Sequence, residues 1–200
     1  MHLSKRYVIL AGTGLTVTLA LSACGDDQST DSGSMGMNHG SSSAAPSGSA
    51  SATAPAGDIM FAQMMIPHHE QAVEMADLAL RNDSASQEVT DLATQIKAAQ
   101  GPEIETMNRW LRGWNAPAGS SMNHGTGEGM MTDTDMMKLS DATGESFNRM
   151  WLTMMIEHHE GAVEMAQSVL QTTSNPEVVQ MAEAIVEGQK KEIATMKGML

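Results

Sequence analysis

The sequence predicts an all-α protein, a four-helix bundle built from two repeated helical hairpins, and three observations carry that expectation. The stretch MMIPHHEQAVEMA at 64–76 returns as MMIEHHEGAVEMA at 154–166, differing only at Pro67/Glu157 and Gln71/Gly161. A second match follows each copy: IKAAQGPEIETMNRWL at 96–111 and IVEGQKKEIATMKGML at 185–200 keep Ile, Gln, Glu-Ile, Thr-Met and Leu in register. No segment sustains the apolar/polar alternation of a strand. A single hairpin cannot bury its own apolar face, so the repeat implies two hairpins packed about a pseudo-two-fold axis.

The first helix is expected over 58–81 with Asp58 as its cap, and Ser86 caps a second over 86–112. Pro67 removes one backbone donor and is expected to bend the first helix. A Gly/Ser/Pro linker at 115–132 separates repeat one (58–114) from repeat two (133–200). After a short helical turn around Asp135 to Leu139, the third helix is expected to begin near Ala142 and run over 142–172. SNPEVV then places Asn175 at the N-cap, Pro176 at the first helical position and Glu177 in the first turn of a fourth helix over 176–198.

The chain ahead of the bundle reads differently. Lys5 and Arg6 precede a short apolar run from Tyr7 to Leu21, too short and too interrupted for a membrane span, and the run ends in LSAC. Residues 1–23 are thus expected to be a lipoprotein signal peptide, with Cys24 as the lipidated residue anchoring the protein to the membrane. Cys24 is the only cysteine, which rules out an internal disulfide. Residues 25–57 are Ser, Ala, Gly, Thr and Pro with almost no large apolar side chain. Such a segment cannot offset its ordering entropy and is expected to be a disordered linker. Removing residues 1–23 takes away two bases and no acid, so the formal charge moves from −13 to −15. That balance argues against nucleic acid as a partner and suits a domain that concentrates cations.

Helical phase locates the histidines. At about 100° per residue, Phe61, Met64, Met65, Ala72 and Met75 fall within about 60° of His68, with Glu70, Glu74, Asp77 and Arg81 opposite. His68 and His158 lie nearer the middle of their stripes than His69 and His159, and are expected to be the more buried pair. On the second and fourth helices Gln100, Glu103, Gln189 and Glu192 fall inside the apolar stripe. A carboxylate there is costly without a partner, and the histidines are the available partners.

Residues four apart are helical neighbours, so M-M-x-x-H-H makes the pairs Met64/His68 and Met65/His69, repeated as Met154/His158 and Met155/His159. Thioether suits Cu(I), and imidazole accepts either copper state; zinc and iron also take imidazole. The chain has 20 methionines in 200 residues, and MNHG occurs at 37–40 and 122–125 in polar surroundings. Met35, Met37, His39, Met122, His124, Met130 and Met131 have no evident core to fill and read as auxiliary metal tracts. Met60, Met75, Met107, Met165, Met181 and Met196 read as core filler, and the three tryptophans as core or rim. Gln100, Glu103, Gln189 and Glu192 would then support the ligands from behind.

Two other readings compete. The buried His and Glu side chains can satisfy one another in a metal-free structural or interaction bundle. A di-iron oxidoreductase would place Glu-x-x-His on two helices, and no Glu-x-x-His occurs in 58–200. No catalytic Ser/His/Asp set, phosphate loop or CxxC is present, so an enzyme is the less favoured class.

DIMFAQMMIPHHEQAVEMA and FNRMWLTMMIEHHEGAVEMA, each followed by a Q-x-x-E-I-x-x-M helix, resemble the domain-of-unknown-function 305 family over essentially all of 58–200. The resemblance implies a secreted or lipid-anchored bacterial protein with a ferritin-like four-helix bundle, and a link in some members to copper binding and tolerance. The combined expectation is an extracytoplasmic lipoprotein that binds copper, as Cu(I), for buffering, tolerance or delivery, with no protein partner indicated.

Overall fold

The computed structural model describes residues 54–118 and 129–200. The leader, Cys24, most of the Ser/Ala/Gly segment and both MNHG tracts, with Met35, Met37, His39, Met122 and His124, lie outside the described residues. Within them the chain forms five helices: α1 Ala56–Arg81, α2 Gln87–Gly113, α3 Asp133–Asp141, α4 Gly144–Leu170 and α5 Pro176–Met199. No strand occurs among the described residues. The fold is all-α, with α1/α2 and α4/α5 as the two hairpins and α3 lying against α1 and α4. The hairpins meet along α1 and α4. Among the described residues no helix is long and apolar enough to cross a membrane.

The helix starts follow local chemistry. The Ser86 side chain accepts from the Val89 N–H, and that of Asn175 accepts from the Glu177 N–H, with Pro176 opening α5. Asp58 is not a cap. Helix α1 begins two residues earlier, with Pro55 in the cap position and no side-chain cap bond. Asp58 therefore sits inside the first turn, where a carboxylate suits the helix dipole. It is buried with neither oxygen hydrogen-bonded, and nothing in the structure explains that. The expected turn around Asp135 is a nine-residue helix capped by Thr132. Ala142 ends this helix, and α4 starts at Gly144. Helix α1 runs through Pro67 without interruption.

Two side-chain clamps fix one hairpin against the other. At one end, Asn82 donates to the Ala142 carbonyl at 3.1 Å, Ser84 Oγ accepts from the Gly144 N–H at 2.8 Å, and Asn148 Oδ1 accepts from the Ser86 N–H at 3.0 Å. The turn between α1 and α2 is thereby tied to the junction of α3 and α4. At mid-helix, Gln71 makes a two-way bond with the Met131 backbone, Nε2 donating to the carbonyl and Oε1 accepting from the N–H, each at 2.8 Å.

This second clamp explains one of the two departures from the repeat, Gln71/Gly161. Gln71 replaces a glycine because it holds the chain at Met131. Gly161 replaces a glutamine because Gly129 lies against it: a Cβ on Gly129 would sit 3.2 Å from the Gly161 Cα and 2.6 Å from the Glu157 carbonyl oxygen. Gly129 also has φ +75°, a conformation that side chains disfavour. The Gly129→Ala variant should therefore lose about 2 kcal/mol of stability, measured by urea unfolding; a wild-type midpoint would contradict the close approach.

Candidate metal centre

The bundle has two apolar clusters. One joins the second half of α1 to the start of α2 and the first half of α4, through Met75, Ala79, Leu92, Ile96, Trp151 and Met155 among others. The other joins the start of α1 to the ends of α2 and α4 and the first half of α5, through Phe61, Met65, Met107, Ala166 and Ile185. Between them in the chain lie His68, His69, Gln100, His158, His159 and Gln189, all buried. A polar layer therefore crosses the middle of an apolar interior.

Each outer histidine is held from behind. His69 Nε2 lies 2.8 Å from Glu103 Oε2, and His159 Nε2 lies 2.8 Å from Glu192 Oε2. A carboxylate only accepts, so Nε2 carries the proton in both rings, and a neutral ring then has its lone pair on Nδ1. Nδ1 is buried without a hydrogen-bond partner in both. This is the arrangement by which a carboxylate orients an imidazole toward a metal. The two glutamates are about a quarter exposed, so they sit between buried imidazole and solvent. A cleft between α2 and α5, lined by Glu103, Thr106, Trp110, Glu177 and Met181, reaches the first of them.

The inner histidines meet each other. The rings of His68 and His158 are 3.8 Å apart between centroids and tilted by 42°, so the equivalent position of each repeat touches its counterpart across the α1/α4 contact. Neither nitrogen of His158 makes a hydrogen bond of normal geometry, although the His68 backbone lies close enough to favour its protonated form slightly. Burial holds His158 well below the usual histidine range, and the neighbouring His68, His159 and His69 push it further the same way. It is a neutral base at neutral pH.

Helical phase placed Gln100, Glu103, Gln189 and Glu192 inward, and the structure finds them there. It corrects the order of burial: His69 and His159 are fully buried, His68 and His158 within 2% of it. The buried arcs are centred between the paired histidines because α2 and α5 cover the outer ring of each pair. Met65 and Met155, one turn before His69 and His159, are fully buried.

The outer methionines differ between the repeats. Met64 is 46% exposed and Met154 only 8%, because Met154 packs in the cluster that contains Met131 and Leu139. Met131 therefore does fill a core, contrary to the reading of it as a tract residue with no core to fill, and Met130 is half-buried. Met60 is 58% exposed and is no core filler, whereas Met75, Met107 and Met196 are buried and Met165 and Met181 half-buried. Trp151 is a core residue whose indole donates to the Met75 carbonyl at 2.9 Å; Trp110 and Trp114 stack at the rim. Sequence reasoning missed the Gly129–Met131 segment, whose only trace was the Gln71/Gly161 mismatch. Among the described residues no three His, Cys, Asp or Glu side chains converge on one point.

The depressed basicity of His158 sets a pH dependence for the metal-free protein. The unfolded chain protonates this ring near about pH 6.5 and the folded chain only well below it. Unfolding then takes up a proton in the window between, so stability falls as pH drops from about 7 to about 5. Urea midpoints across that range should fall, and less steeply in His158→Phe; identical slopes would show that the ring does not titrate this way.

The family profile for Domain of unknown function (DUF305) matches residues 58–200. Among solved structures, a DUF305 fragment from Deinococcus radiodurans is 34% identical with a TM-score of 0.67, over 73% of this chain and 96% of that one. The protein CopM in its Cu(II)-bound form is 33% identical with a TM-score of 0.63, over 71% of this chain and 94% of that one. CopM has also been solved in Cu(I)-bound, silver-bound and apo forms. A DUF305 protein from Streptomyces coelicolor, described as secreted, is 33% identical with a TM-score of 0.66, over 72% and 91% of the two chains. A search of curated proteins finds no match. On the extent of the profile match and these identities, the chain belongs to the DUF305 family.

Proposed function

We propose that this is an extracytoplasmic copper-binding protein, anchored through a lipidated Cys24, that takes up Cu(I) in the central histidine layer for buffering, tolerance or delivery. The observation that carries the reading is the set of buried polar atoms without partners. A metal-free network predicts that the imidazoles and amides satisfy one another. Instead both nitrogens of His158, Nδ1 of His69 and of His159, the Gln100 amide and the Gln189 oxygen make no hydrogen bond of normal geometry. Each such group costs about 1–3 kcal/mol when left unmade, and a ligand in the layer would offset that cost.

The donor set favours copper. Four imidazoles stand with thioethers one turn away on the same helices, a combination suited to Cu(I) and less to hard cations. Iron or zinc would draw on the same imidazoles, but the lack of three converging His or carboxylate groups among the described residues speaks against a di-iron carboxylate site. The solved copper and silver complexes of CopM support the same choice, and the Streptomyces protein's description as secreted supports the location. His68, His158, Met64 and Met154 form the main site or two related half-sites. Met65/His69 and Met155/His159 add ligands, and Gln100, Glu103, Gln189 and Glu192 orient them. The tracts with Met35, Met37, His39, Met122 and His124 act as weaker collectors.

Competition titration of Cu(I) against a chromophoric chelator tests this in the full chain. The His68→Ala/His158→Ala variant, shown folded by circular dichroism, should lose at least about tenfold in affinity, or one equivalent of copper, and Glu103→Ala about as much through the freed imidazole. Unchanged affinity and stoichiometry in the folded double variant would make the layer structural.

A further inference from the structure

We infer that copper enters from one side of α1, along a row of donors formed by Met60, Met64 and His68, and that the equivalent row on α4 is closed. The inference rests on the copper reading above and adds a route, with Met60 as a residue that sequence reasoning had taken for core.

The row follows from spacing and exposure. Positions 60, 64 and 68 are four apart, so successive side chains are helical neighbours with Cβ atoms about 5–6 Å apart. Their exposure falls from 58% through 46% to 2%, so a thioether in solvent leads to a thioether at the rim and then to a buried imidazole. Isolated exposed apolar residues need no explanation, and Leu80, Met137 and Leu200 are such residues. Met60 and Met64 differ in standing in register with His68.

The second repeat supplies the contrast. Met150, Met154 and His158 have the same spacing, but Met150 is half-buried and Met154 buried. Met131, Leu139 and Met136 pack in the same cluster, and the Gln71 bonds with the Gly129 approach hold that segment in place. Met131, Met136 and Leu139 thus cover one of two equivalent approaches. Both end at the same place, because the His68 and His158 rings touch.

Each advance is a ligand exchange. The Met64 sulfur bonds to Cu(I) as the bond to the Met60 sulfur breaks, and an imidazole nitrogen of the inner pair then replaces a thioether. Copper stays Cu(I), and no electron is transferred.

Stopped-flow transfer of Cu(I) from a coloured chelator complex to the full chain tests the route, with wild type, Met60→Leu and Met137→Leu compared and their folding checked by thermal unfolding. Leucine keeps the apolar bulk and removes the sulfur. Met60→Leu should load about tenfold more slowly, with a smaller change in equilibrium affinity, and Met137→Leu should load as wild type does. A wild-type rate in Met60→Leu, or equal slowing in Met137→Leu, overturns the route while leaving the copper site standing. Failure of the wild type to take up Cu(I) overturns both.

Discussion

Placing four imidazoles across the middle of an apolar bundle is the constraint on which the rest of this structure depends. Each buried polar atom left without a hydrogen bond is unfavourable by about 1–3 kcal/mol, a sizeable part of the about 5–15 kcal/mol that stabilise an ordinary domain. The two apolar clusters above and below the layer, built on residues such as Trp151, Phe147, Ile96, Met107 and Ile185, supply the opposing burial. Glu103 and Glu192 lower the cost of the outer rings by taking one hydrogen bond each. The inner rings have each other at 3.8 Å, and burial first, then the neighbouring histidines, depress the basicity of His158 strongly.

Near-symmetry explains why the layer exists, and its breaking explains why the two halves are not equivalent. Two copies of one hairpin bring the same residues face to face, so the second histidine pair arrives with the first. The stretch from Gly129 to Met131 then packs against α4. It requires a glycine at 129 for clearance, a glycine at 161 beneath it and a glutamine at 71 to hold it, and these requirements leave Met64 open and Met154 covered.

Much of the architecture was legible because it depended on periodicity. The repeat gave the hairpins, Ser86 and Asn175 gave two starts, and helical phase turned Gln100 and Glu103 inward. Phase alone misjudged what neighbours cover. It ranked His68 above His69 in burial and set Met64 on the core-facing stripe, since a helix considered by itself shows which face is apolar but not where its partners stop. Asp58 looked like a cap because the pull of Pro55 on the start of α1 is weaker as a signal than an acidic side chain. Met131 looked idle because its core position depends on a clamp 60 residues away in the chain.

A histidine layer that holds a soft metal differs from one that only satisfies the bundle's own polar groups in what surrounds the bound ion. X-ray absorption at the copper edge of the Cu(I)-loaded full chain addresses it most directly. The bound copper should be surrounded by both nitrogen and sulfur, with the nitrogen contribution lost in the folded His68→Ala/His158→Ala variant. A shell of sulfur alone, or a mixed shell unchanged by that substitution, would contradict it and leave the layer as structure.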